Sequence, residues 1–138
     1  MAIKFEDATE KVKEKIYSTM VGWMYETMGV LQGQTIENSR VDTGQTRGSY
    51  QYRVIEKGDR VEGYLGSNAE NAIWEEYGTG EYALKGNGRK TPWVYKNRKG
   101  EFYWTTGKKP KRPMHTAYNQ KKAEQIRDLA KKISNAFR

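Results

Sequence analysis

The sequence predicts an α+β protein: a small antiparallel sheet of hairpins packed against a long N-terminal helix and a C-terminal helix. Three observations predict it. Apolar residues recur at helical spacing at both ends of the chain, alternation with period two appears twice in between, and glycine-rich turns separate these stretches. Helices at the ends with strands between them give an α+β order rather than an alternating parallel one. With 138 residues, residues 1–138 are read as a single domain in which 85–113 projects as a basic hairpin or loop.

In the first element Phe5, Ala8, Val12, Ile16, Met20, Trp23 or Met24, Thr27 and Leu31 fall at spacings of three and four. Asp7–Lys11, Glu10–Lys13 and Lys11–Glu14 support the helix, while Glu10–Glu14 and Lys11–Lys15 oppose it by a similar amount, so the apolar stripe carries the prediction. Gly22, Gly29 and Gly33 each weaken it by about 1 kcal/mol relative to Ala, and a break or bend is expected near Gly29–Gly33. Asp42-Thr43-Gly44 signals a turn. Tyr50, Tyr52 and Val54 then alternate with polar neighbours, Lys57 to Arg60 turn the chain, and Val61, Gly63 and Leu65 alternate on the return, which makes a hairpin.

Asn71 to Tyr77 reads as a single helical turn ended by Gly78-Thr79-Gly80. Gly86-Asn87-Gly88 is loop, and a second hairpin joins Trp93-Val94-Tyr95 to Phe102-Tyr103-Trp104. Pro110 and Pro113 keep Lys108 to Pro113 out of any central strand. The last helix carries the stripe Tyr118, Ile126, Leu129, Ala130, Ile133 and Phe137.

Composition narrows the function. At 36% hydrophobic and 30% charged residues, with a mean hydropathy of −1.01, the core is small, but 12% aromatic residues argue for a folded chain. With no Cys, disulfides and thiolate metal sites are excluded, and the single His115 leaves no multi-histidine centre. His115 has no Ser or Asp at motif spacing and reads as a cap or interface residue. No segment approaches the length of a membrane span or a signal-peptide core, so a soluble cytoplasmic protein without cofactor or metal is expected.

The net charge of +8 is unevenly placed. Residues 1–84 hold 9 basic and 14 acidic groups, whereas residues 85–113 hold 10 basic and 1 acidic. Three readings stay open: attraction to phosphates, head-to-tail pairing of the acidic part of one copy with the basic part of another, or a solvated loop. Arg89, Lys90, Trp93, Arg98, Lys99, Lys108, Lys109, Lys111 and Arg112 are the candidate interface residues. Basic groups among aromatics suit single-strand nucleic acids, so a small basic nucleic-acid-binding protein is the alternative function, although alternation should turn at least half of the aromatics toward a core or sheet neighbour.

Gly78-Thr79-Gly80 and Gly86-Asn87-Gly88 match neither phosphate-loop fingerprint and are read as turns. Glu75 and Glu76 are adjacent, point about 100° apart on a helix and form no facing pair; one is expected to meet a cation and the other to be solvated.

Three blocks in order resemble the neck and tail-completion (head–tail joining) proteins of long-tailed bacteriophages. They are Val41-Asp42-Thr43-Gly44-Gln45-Thr46-Arg47-Gly48-Ser49, Asn71-Ala72-Ile73-Trp74-Glu75-Glu76-Tyr77-Gly78-Thr79-Gly80, and Arg112-Pro113-Met114-His115-Thr116-Ala117. Thr46 stands where the family usually has leucine, and Met114-His115 where it has a more apolar pair. The resemblance implies a non-enzymatic virion protein made in the host cytoplasm. It would sit in the neck as a homo-oligomeric ring (six-fold is one option), formed in solution or only on assembly. Its partners would be the capsid connector and tail proteins, with non-specific DNA contact an open option and no membrane. Asp42, Thr43, Gly44, Arg47, Glu75, Glu76, Gly78, Thr79 and Gly80 would form its turn motif, with Arg47 pairing Glu75 or Glu76 and the two later glycines letting the basic segment project.

Overall fold

A computed structural model of the chain describes residues 8–40, 44–97 and 99–138. Phe5, Asp7, Val41, Asp42, Thr43 and Arg98 therefore lie outside the described residues, and so does the predicted Asp7–Lys11 pair. The elements are α1 (Thr9–Asn38), β1 (Tyr50–Glu56), β2 (Val61–Ser67), α2 (Glu70–Tyr77), β3 (Trp93–Lys96), β4 (Phe102–Thr105) and α3 (Pro113–Ala136), an α+β fold.

The break predicted near Gly29–Gly33 does not occur. α1 runs unbroken for 30 residues, about 45 Å at 1.5 Å per residue. A Cβ at Gly22, Gly29 or Gly33 would meet nothing within 4 Å, so these glycines mark no close crossing. Their propensity cost is offset by tertiary packing, which supplies most helical stability in proteins. α3 lies antiparallel along one side of α1. Trp23 Nε1 donates to the Gln125 carbonyl at 2.7 Å, Thr27 Oγ1 to Gln125 Oε1 at 2.9 Å, and Asn38 Nδ2 to Gln120 Oε1 at 3.0 Å. Near the other end Lys132 Nζ meets Glu26 Oε2 at 3.1 Å.

On another side α1 takes the β1–β2 hairpin, paired antiparallel with Tyr50 opposite Ser67 and Glu56 opposite Val61. Its tip meets α1 where the Gly58 amide donates to the Tyr17 hydroxyl at 3.0 Å, and its base where Gln32 Nε2 donates to the Tyr50 carbonyl at 2.8 Å. Gly63 permits the approach between them: a Cβ there would lie 2.6 Å from Met28 Sδ and 2.7 Å from Met24 Sδ.

The core is thin. Among the described residues the buried apolar side chains are Met28, Tyr50, Ala72, Pro113 and Ala117, accompanied by buried Thr27, Thr35, Glu75, Glu76 and Gln125. The predicted α3 stripe is not its core face: Ala117 and Gln125 are buried, while Tyr118, Ile126 and Phe137 are exposed. β3 and β4 form a second two-stranded sheet, Trp93 opposite Thr105 and Lys96 opposite Phe102, unconnected to the first. The predicted single sheet of hairpins is thus two sheets, and only the first packs on the helices.

Candidate assembly site

The site is built where α2, α3 and the two ends of the basic segment meet. α2 is longer than the single turn expected, eight residues, because Ala69 enters extended and Gly78, at φ 75°, closes it with its amide on the Trp74 carbonyl at 2.8 Å. Positions 75 and 76 then point to different neighbours. Both carboxylates are buried, at 6% and 4% exposure, so the expectation that one would be solvated is wrong.

Glu76 caps α3. Its Oε2 accepts the Met114 amide at 3.0 Å and its Oε1 the His115 amide at 2.9 Å. These are first-turn donors with no partner inside the helix, and a negative charge there also suits the helix dipole. Pro113 occupies the first helical position, where its missing N–H costs nothing. His115 is thus a first-turn residue of α3, its ring Nε2 3.0 Å from Asn119 Nδ2.

Glu75 holds the basic segment. Its carboxylate pairs with Lys108 Nζ and lies 3.7 Å from Arg40 Nη1. Its backbone carbonyl accepts both the Lys111 and Arg112 amides, at 2.9 and 3.0 Å. Arg112 makes this geometry by adopting φ 55°, the one positive φ among described non-glycine residues. Arg47 is not a partner of either Glu: its Nε donates to the Ile36 carbonyl at 2.9 Å, tying the turn after α1 back to the helix end. Beneath the site, burial pushes the Tyr50 hydroxyl above its ordinary pKa, the Ser39 side chain opposes this, and the charges of Glu76 and Glu75 add to the rise.

Gly78-Thr79-Gly80 is an internal clamp. The Thr79 amide donates to the Lys108 carbonyl at 2.9 Å, the Lys108 amide to Thr79 Oγ1 at 2.8 Å, and the Glu81 amide to the Thr106 carbonyl at 3.0 Å. A Cβ on Gly80 would lie 2.1 Å from the Thr106 carbonyl oxygen, and one on Gly88 2.0 Å from the Gly80 carbonyl oxygen. Only glycine fits this crossing of three backbone segments. Gly44, at φ 80° with open space around it, has a carbonyl that accepts the Gly48 amide at 2.8 Å.

Beyond the clamp stands the β3–β4 hairpin; no core covers its aromatics, and those that meet a partner find it across the strands, as Tyr95 and Tyr103 do. One face carries Trp93, Tyr95, Tyr103 and Glu101; the Tyr95 and Tyr103 rings stack at 5.9 Å and Glu101 Oε2 accepts Tyr103 Oη at 2.8 Å. The other carries Val94, Lys96, Phe102 and Trp104, with Phe102 71% and Trp104 77% exposed. A two-stranded ribbon away from the helices has no second layer to cover it. Lys90, Lys99, Lys109 and Lys111 are exposed; the Lys109 ammonium lies 5.6 Å from the Tyr82 ring and its carbonyl accepts Arg40 Nη2 at 3.1 Å. Sequence reasoning missed Arg40, Thr106 and Gly107, whose roles depend on the crossing.

The acidic counterpart changes as well. The excess acid of residues 1–84 falls largely in 68–84, which hold Glu70, Glu75, Glu76 and Glu81 and no base. Two of these four are buried against α3 and the basic segment of the same chain, so they offer a neighbouring copy nothing. Among the described residues no three His, Asp or Glu side chains gather as a metal site, and no helix is long and apolar enough to cross a membrane.

Fold and site together define a small α+β protein whose polar junction holds a bare aromatic hairpin. Residues 3–78 match the family model described as "Bacteriophage HK97-gp10, putative tail-component". The chain belongs to this HK97 gp10-like family of bacteriophage structural tail components, consistent with the phage neck and tail-completion resemblance. The match covers α1, the first hairpin and α2, and ends where the clamp begins. No curated protein and no solved structure gives a match.

Proposed function

We propose that this chain is a non-enzymatic virion protein of the head–tail interface, completing or joining the tail to the capsid connector by assembling as a ring in the neck. The family supplies the virion setting. The observation that carries the finer reading is the apolar surface the described residues leave open, first on the second hairpin, where Val94, Phe102, Tyr103 and Trp104 are exposed. A ring subunit contacts two neighbours and the layers above and below, and uses such surface.

Exposed Tyr118, Ile126 and Phe137 along α3, and Ile73 and Trp74 on α2, extend this surface over the helices. With Glu75 and Glu76 buried, only Glu70 and Glu81 of the 68–84 acids stay exposed, which favours apolar over simple charge pairing between copies. The test is binding to purified connector or tail, read by co-sedimentation and by light scattering of the complex. Stoichiometric binding with several copies per connector is expected; absence of binding to both connector and tail overturns the reading.

A further inference from the structure

We propose that the bare face of the β3–β4 hairpin binds single-stranded nucleic acid without sequence preference, its cations tracking phosphates while Phe102 and Trp104 stack on bases. This lies beyond the part of the chain that matches the family, and it holds or fails independently of ring assembly.

The charge argument comes first. Residues 85–113 carry 10 basic groups and one acidic group, and among the described residues only one of those cations, Lys108, meets a carboxylate. Several others rest on aromatic rings instead: Arg89 on Trp93 at 5.7 Å, Lys96 on Phe102 at 5.7 Å and Lys109 on Tyr82 at 5.6 Å. Lys90, Lys99 and Lys111 are exposed. The two acids closest to the segment, Glu75 and Glu76, are buried at the junction, and Glu75 meets only Lys108 among its cations. The natural occupant is therefore a polyanion.

The two faces of the hairpin then separate the kinds of polyanion. The Tyr95–Tyr103 face carries the arm's own carboxylate, Glu101, already held by Asn97 Nδ2 at 2.9 Å and by Tyr103 Oη. The opposite face presents Val94, Lys96, Phe102 and Trp104 with no carboxylate. Open aromatic rings beside ammonium groups are the stacking platform of single-strand binders, since every base has a flat face and every linkage a phosphate. An acidic protein surface is the competing class, but lysine is depleted in protein interfaces, and seven of the ten cations here are lysines.

The test titrates the full chain with labelled 20-nucleotide oligo-dT and a 20-base-pair duplex, followed by fluorescence anisotropy from 50 to 200 mM salt. Neutralising about four phosphates gives a single-strand affinity that falls roughly 50-fold across that range. Phe102→Ala and Trp104→Ala are each expected to weaken oligo-dT binding roughly tenfold, leaving the circular dichroism spectrum and melting temperature unchanged. Binding that is absent, flat with salt or indifferent to both substitutions overturns the proposal, as does equal preference for duplex. Polyglutamate competing as well as oligo-dT of equal charge assigns the face to an acidic protein instead.

Discussion

The Glu76 carboxylate and the His115 amide, 39 positions apart in the chain, meet at 2.9 Å, and the neighbouring Met114 amide meets the same carboxylate at 3.0 Å. One buried side chain from the second helix thereby starts the third, doing at long range what a Ser or Asp cap does locally. Arg112, in the cap position, makes no side-chain cap hydrogen bond.

Replacing Glu76 with Ala leaves two part-buried first-turn amides without their acceptor, with an expected loss of about 2 kcal/mol. At this chain length that is roughly 8 °C in melting temperature. Glu76→Gln keeps one acceptor and loses about half as much. Thermal denaturation of both variants checks the order; an unchanged Ala variant would remove the cap from the account.

Lys108→Met strips the buried Glu75 carboxylate of its nearer cation. Breaking a buried pair costs 3–5 kcal/mol, but the Lys108 side chain is 39% exposed, so the expected loss is about 2 kcal/mol. Adding Glu75→Gln should recover part of it, because the unpaired charge is gone. A urea-denaturation double-mutant cycle measures that coupling, and strict additivity would contradict the pairing.

Gly80→Ala and Gly86→Ala both place a side chain at positive φ, 61° and 70°. Gly86 has open space, whereas Gly80 faces the Thr106 carbonyl oxygen. Gly86→Ala should cost about 1 kcal/mol and Gly80→Ala about 3 kcal/mol, with faster protease cleavage in 81–107 only for the latter. Equal cleavage of the two variants would speak against the backbone crossing.

The hairpin tip carries a pH dependence. Asn97 and Tyr103 hydrogen bonds hold the Glu101 carboxyl below its ordinary 4.5, and that bond to Glu101 holds the Tyr103 hydroxyl above 10.0. A lowered carboxyl pKa stabilises the fold fully above the unfolded value, and the contribution is lost as pH falls through the folded value. The raised Tyr103 acts oppositely, contributing below 10.0 and fading above its folded value. Amide shifts of Lys99 and Glu101, bonded to Asn97 Oδ1 at 3.0 and 2.9 Å, should therefore hold steady at neutral pH and move together below pH 4.5. Glu101→Gln should abolish the acid transition.

Much of this molecule could be read from residue order. The first hairpin, the glycine turns and both long helices follow from periodicity and turn chemistry, which act within a few residues. The continuity of α1 could not: Gly29 and Gly33 argue locally for a break, and the packing that overrides them comes from residues 20 to 100 positions away. Glu75 and Glu76 were visible as adjacent acids, but their burial depends on the Lys108 and Pro113 regions crossing α2. Arg47 illustrates the converse, since a main-chain carbonyl carries no label in the sequence. The second hairpin was predicted as an element, while its bareness followed only from its distance from the helices.

The Gly80–Thr106 crossing has a practical corollary. Since residues 79–81 and 106–108 hold the stem, side chains farther out, such as Asn97, Glu101 and Tyr103, hold only the hairpin's own tip. The tip of the β3–β4 hairpin is thus a natural port for grafting: a fluorophore, an epitope or a foreign loop placed there would leave the helices beneath with their architecture.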